Sequence, residues 1–203
     1  MNGQQEQTRK LLNLSLLAAG GTVLHALESY LPALSTLPGA KLGLANIASM
    51  LALIWYSAGD ACKVVVLRVL LGSLLAGIFF TPSFFLSVAG AAGSFGAMAA
   101  AIYMSGGALS IIGISILGAV AHNLAQLLMA MLLARSWGVV FYLPWLLLFA
   151  LPTGYFVGLL STLVVRLVPF SFRLPLITTG KNRQDLTCKC RICRWSPHLP
   201  KED

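Results

Sequence analysis

From about residue 11 to residue 167 the chain is a succession of long apolar runs, interrupted only by short clusters of proline, glycine, serine and charge. A helix that crosses a membrane needs about 20 predominantly apolar residues. The interruptions divide the chain into six predicted spans at 11–31, 42–58, 61–80, 84–104, 109–133 and 140–167. Pro32, Pro38 and Gly39 mark the first break; Ser57, Gly59 and Asp60 mark the second, and Thr81-Pro82-Ser83 the third. Ser105-Gly106-Gly107 and the stretch from Arg135 to Gly138 supply the last two, all of them compositions that favour turns. The pattern predicts an all-α, polytopic membrane protein with six transmembrane helices over residues 11–167, a short N-terminus (1–10) and a basic tail (168–203). A five-span alternative keeps 84–104 as a buried re-entrant segment, because that stretch is rich in Ala and Gly.

Composition agrees with the pattern. Hydrophobic residues make up 58% of the chain and charged ones 10%, with a mean hydropathy of +0.84, whereas a soluble domain is about a quarter charged. Disordered, collagen-like and nucleic-acid-binding classes are thereby excluded. The charge is lopsided, with 14 Lys and Arg against 6 Asp and Glu. Placing the N-terminus inside puts Arg9, Lys10, Lys63, Arg166, Arg173 and the tail cations in the cytoplasm and leaves Lys41 and Arg135 outside, as the positive-inside rule prefers. Both termini of a cell-membrane protein are then expected in the cytoplasm. Leu11 to Leu31 is span-length and contains His25 and Glu28, so it is expected to remain as the first helix rather than act as a cleaved signal.

Ionisable groups in hydrocarbon are costly and need a partner, water or a function. Counting 1.5 Å per residue along each helix brings His25, Glu28, Lys41, Asn46, His122, Asn123 and Gln126 to one level in the outer half of the bundle. Seven polar groups at one depth point to a substrate pocket opening outward, with interhelical hydrogen bonding as the alternative. Phe79, Phe80, Phe84, Phe85 and Tyr30 lie near the same surface, as an aromatic belt or as a roof over a ligand. Arg68 is expected near the inner end of the third span, where it could snorkel, pair within the bundle or join a partner contact.

Small residues mark close helix approach. Gly90, Gly93, Ser94, Ala97 and Ala101 recur at helical spacing in the fourth span, and Ser15, Ala18, Ala19 and Thr22 form a strip on the first that could meet a partner subunit. In the tail, Cys188, Cys190, Cys193 and His198 could make a zinc site, against the alternative of a reduced, unstructured basic segment. The sequence contains no P-loop, and Glu28 is the one clear carboxylate in the spans, so paired-carboxylate magnesium chemistry on a prenyl diphosphate is poorly supported. No cofactor and no enzymatic activity are expected.

Three segments carry a resemblance: Pro38-Gly39-Ala40-Lys41-Leu42-Gly43-Leu44-Ala45-Asn46-Ile47, Leu67-Arg68-Val69-Leu70-Leu71-Gly72-Ser73 and Gly118-Ala119-Val120-Ala121-His122-Asn123-Leu124-Ala125-Gln126. Together they resemble the Gx transporter family, whose members are often labelled heptaprenyl diphosphate synthase component I. The similarity covers about residues 10–167 and stops before the cysteine-containing tail. That family is similar to the substrate-binding S components of energy-coupling-factor transporters. The resemblance implies an S-component-like bundle that captures a small polar molecule, such as a vitamin, flavin or quinone or isoprenoid precursor. It also implies a separate transmembrane coupling subunit and ATPases, with Ser15, Ala18, Ala19 and Thr22, an inexact match to the AxxxA pattern of such helices, as the coupling contact. The alternatives are a non-catalytic membrane subunit supporting heptaprenyl diphosphate synthase and a self-sufficient secondary transporter.

Overall fold

The computed structural model describes residues 3–30, 43–105 and 108–168. Every regular element among them is helical: α1 (Gly3–Tyr30), α2 (Asn46–Trp55), α3 (Ala58–Leu75), α4 (Pro82–Ser105), α5 (Ile111–Ala134), a 3₁₀ segment (Trp137–Tyr142) and α6 (Leu143–Leu167). Four stretches are long and apolar enough to cross a membrane: Gln7–Glu28, Pro82–Ser105, Ile111–Ala134 and Trp137–Leu167. The fourth predicted span is therefore a continuous helix of 24 residues and not a re-entrant segment.

The other two helices depart from simple spans. Residues 42–58 were predicted to cross, yet α2 has 10 residues and is about 15 Å long, half the roughly 30 Å of a hydrocarbon core. It is buried on nearly all sides, from Asn46 and Ala48 through Trp55, so its apolar character comes from enclosure by protein. Met50 and the neighbouring Leu51, Ala52, Leu53 and Ile54 form the centre of the main core with Val64, Met98 and Ile114. α3 has 18 residues and carries Asp60, Lys63 and Arg68.

Local chemistry fixes the helix ends. The Ser57 side chain caps α3 by accepting from the Asp60 N–H at 3.3 Å, and Ser110 caps α5 through the Gly113 N–H at 3.1 Å; such caps satisfy orphan donors of the first turn. At the far end of α3, Gly77 (φ +67°) takes the left-handed conformation. Its N–H bonds to the Leu74 carbonyl at 3.1 Å, and that of Ile78 bonds to the Ser73 carbonyl at 3.0 Å, a Schellman closure. The turn beyond it holds Phe79, Phe80, Phe84 and Phe85 in mutual ring contact, with Phe80 itself at φ 60°.

The α4–α5 and α5–α6 seams are set by small residues. A Cβ on Gly93 would lie 2.6 Å from the Ala125 Cβ and 3.0 Å from the Ala121 carbonyl oxygen. Gly154 and Gly158 meet the Ile116 and Ile112 Cα atoms in the same way, at 2.8 Å each. The expectation of close backbone approach at the fourth span holds, with α5 as the neighbour. The strip on α1 is different: Ala18 and Thr22 are buried while Ser15 and Ala19 are exposed. The strip lies along the edge where α1 meets the bundle, with its Ala18–Thr22 row turned inward and its Ser15–Ala19 row outward.

Candidate functional site

Of the seven polar residues expected at one level, six lie among the described residues and all six are buried: His25, Glu28, Asn46, His122, Asn123 and Gln126. Lys41 falls outside the described residues, as do Cys188, Cys190, Cys193 and His198 with the metal site they were expected to form. Among the described residues no group of three or more His, Cys, Asp or Glu side chains is placed to hold a metal ion.

The six residues form two groups that meet at the start of α2. The first joins α1, α2 and α3. Glu28 Oε1 accepts the backbone N–H of Leu44, which brings the approach to α2 against the end of α1. Arg68 is only 2% exposed, and its Nη2 donates to Asn46 Oδ1 at 2.8 Å. Glu28 and Arg68 also act on each other electrostatically. Snorkelling and a partner contact are therefore both overturned for Arg68: it is turned inward, between a carboxylate and an amide oxygen. The reason is energetic, since a buried guanidinium must be paired and hydrogen-bonded. Gly21 makes room for it, as a Cβ there would lie 3.3 Å from Arg68 Cδ. His25 packs on Gly72, whose missing side chain leaves space that a Cβ would contest at 2.6 Å.

The second group belongs to α4, α5 and α6. Asn123 Nδ2 donates to the Leu146 carbonyl of α6 at 2.9 Å. His122 and Gln126, one turn apart on α5, both lie over Gly90 of α4, where a Cβ would come within 2.7 Å of each. His122 stands about 16 Å along α5, near the middle of this 24-residue helix rather than in its outer half. The Gln126 amide atoms are buried with no hydrogen-bond partner among the described residues.

Between the groups lies a small cavity whose walls include Asn46 and Gly43 on the α2 side and Ser94, Ser115, His122 and Asn123 on the other. Asn46 thus accepts from Arg68 through its amide oxygen and also lines the cavity. The space free to the centre of a water molecule is about 10 Å³, room for about one water. Ser94 and Ser115 have buried hydroxyls with no partner among the described residues. Sequence reasoning read Ser94 only as a small packing residue and passed over Ser115 and Thr153, which also lines the cavity. A buried serine in a membrane helix gives no hydropathy signal. The usable sign is its helical register with Asn and His on the neighbouring helix.

At the start of α3, Asp60 gathers Lys10 from α1 and Lys63 from α3, the latter at 3.2 Å, together with the Ser57 hydroxyl at 2.9 Å. Burial raises the Asp60 pKa, but hydrogen bonds from Lys10, Ser57 and Lys63 outweigh it and hold the carboxyl below its ordinary value. This cluster ties the start of α3 to the N-terminal half of α1.

Fold and site together define a helical membrane protein with a buried, largely uncharged polar cavity at the junction of two helix groups. The chain belongs to the heptaprenyl diphosphate synthase component I family, whose model matches residues 17–164. No curated protein matches the chain. No solved structure matches it either.

Proposed function

We propose that the protein is a substrate-capture subunit, similar in role to an S component, that binds a small polar molecule and hands it to a separate coupling subunit and ATPases. One observation carries this reading: Asn46, His122 and Asn123, from helices far apart in sequence, border a single cavity with Ser94 and Ser115, whose buried hydroxyls have no partner among the described residues. Serines that served only as interhelical glue would be expected to bond across the helix seam. A molecule larger than water enters this cavity as the start of α2 moves away from α4–α6. His25, Glu28, Gln126 and Lys41 belong to the walls of the opened site. The chain contains no P-loop, so energy comes from partner ATPases, and the protein itself is non-catalytic.

The coupler docks on the exposed half of the α1 strip, Ser15 and Ala19, beside Gly20, while Ala18 and Thr22 support it from within. Both termini are cytoplasmic. A cysteine at Ser83 reacts with an impermeant thiol reagent from outside, and the exposed native Cys62 does not; the reverse result overturns the orientation.

A second reading is favoured by the family description itself: a membrane subunit that supports heptaprenyl diphosphate synthase. Purification from native membranes with identification of co-purifying proteins separates the two. A coupling subunit with ATPases supports capture and transport, whereas a prenyl diphosphate synthase subunit without them supports the second reading. Ala19→Leu lowers ATP-dependent uptake while leaving ligand binding by the isolated subunit intact, because close docking depends on small side chains. Uptake that persists unchanged without any such ATPase contradicts the proposal and points to a self-sufficient transporter.

A further inference from the structure

The end of α5 carries a feature that the capture reading does not use. α5 stops at Arg135, whose backbone is left-handed (φ 48°, ψ 33°). The next residue, Ser136, caps the 3₁₀ segment by accepting the Gly138 N–H at 3.3 Å. Arg135, Ser136 and Trp137 form the mouth of an open groove of about 690 Å³ whose other walls are Leu128, Met131 and Leu132. The groove is thus apolar along α5 and polar at one end.

Its surroundings fix its depth in a membrane. None of the residues Trp137–Tyr142 is buried, and Trp137 and Phe141 are 82% and 84% exposed, with Tyr142 and Trp145 also outward. Aromatic side chains in such numbers belong at the headgroup level. The mouth therefore lies among headgroups, and Leu128, one to two turns back along α5, lies in hydrocarbon. Among the described residues no acidic side chain lines the groove, so Arg135 gives it a net positive mouth. Ser136 accepts one bond through its oxygen and keeps its hydroxyl hydrogen to donate.

We propose that this groove is a binding site for an anionic phospholipid, with the phosphate against Arg135 and Ser136 and an acyl chain along Leu128, Met131 and Leu132. Charge complementarity selects the headgroup. One cation at an anionic membrane surface is worth about 1 kcal/mol, or about fivefold in relative affinity.

The test places the full chain in phosphatidylcholine vesicles containing increasing mole fractions of phosphatidylglycerol or of phosphatidylcholine with brominated acyl chains. Trp137 fluorescence is isolated by subtraction of Trp137→Phe. The brominated phosphatidylglycerol is expected to quench Trp137 at about one-fifth of the mole fraction that brominated phosphatidylcholine requires. Arg135→Gln should erase that preference, Arg135→Lys should keep most of it, and high salt should weaken it in the unmodified protein. Inorganic phosphate at millimolar concentration should not reverse the quenching, since the acyl chain supplies part of the affinity. Equal quenching by the two lipids in the unmodified protein, or a preference that survives both Arg135→Gln and high salt, overturns the proposal. Reversal by inorganic phosphate alone overturns the lipid and leaves a free-anion site.

Discussion

The two helix groups of this protein solve the problem of burying polar groups in opposite ways. Around α1, α2 and α3 the solution is charge against charge: Arg68 between Asn46 and Glu28, and Asp60 between Lys10 and Lys63. Around α4, α5 and α6 no charged side chain is buried among the described residues. Glycines there let helices close to van der Waals contact, and polar groups without a fixed charge, His122, Asn123, Gln126, Ser94 and Ser115, are enclosed between them. Movement is easier on the α4–α6 side. An ionic cluster is intolerant of losing a member, because the remaining charge is left in a low dielectric. Neutral polar groups around a cavity can exchange partners with a ligand at small cost. Asn46 is fixed by Arg68 on one side and borders the cavity on the other, so it is the link between the two groups.

The sharpest way to break this comparison is to remove the guanidinium. Arg68→Met leaves Glu28 without its cation and Asn46 Oδ1 without its donor, and the loss of one partner of a buried pair costs about 3–5 kcal/mol. Thermal unfolding in detergent should show a large fall in Tm or loss of folded protein, with Arg68→Lys intermediate. An unchanged Tm for Arg68→Met would show that the charge has access to water.

Crowding the neutral side should cost less. Gly93→Leu drives a side chain into Ala125 and the Ala121 carbonyl, and overpacking of this kind costs about 1–3 kcal/mol. Gly96→Leu, on the same helix but with nothing within 4 Å of its Cβ position, should leave Tm unchanged. If the two variants behave alike, close α4–α5 packing is not what holds that half together.

The smallest stability effect belongs to Asp60. Lys63 is 73% exposed and Lys10 32%, so Asp60→Asn should cost about 1 kcal/mol or less, as for exposed pairs. The carboxyl pKa is lowered in the folded protein, so its contribution is present above the ordinary carboxylate range and is lost as pH falls through the lowered value. The Tm difference between Asp60→Asn and the unmodified chain should therefore shrink on acidification below about pH 4, read by thermal unfolding at several pH values.

Much of the fold is legible in the residue pattern, and the failures have physical causes. The breaks at Ser57–Asp60, Thr81–Ser83 and Arg135–Gly138 coincide with helix ends because caps and turns need those residue types. The shortness of α2 is illegible because hydropathy measures transfer out of water and does not distinguish burial in lipid from burial in protein. For Arg68 the sequence leaves three alternatives open, and the structure shows pairing within the bundle; depth along one helix could not decide, because it says nothing about Asn46 across from it. The α1 strip was read as one face, yet the bundle boundary runs between Ser15/Ala19 and Ala18/Thr22, a distinction only the neighbours α2 and α3 decide. Asn46, His122 and Asn123, which border one cavity, are legible as rare polar positions in apolar runs. Ser94 and Ser115 are not, since helical serines are common packing residues.

Capture of a small molecule by the Asn46–His122–Asn123 cavity is tested by mass spectrometry of the small molecules released by heat from the protein purified under native conditions, compared with His122→Ala purified in parallel. His122→Ala should retain its helical content and Tm within a few degrees, yet lose ligand, because a missing hydrogen bond costs about 1–1.5 kcal/mol or roughly tenfold in occupancy at low ligand. The account predicts one molecule, near-stoichiometric in the unmodified protein and strongly depleted in the variant. The same released molecules in equal amount from both proteins, or none from either when the protein is purified from native membranes, would contradict it.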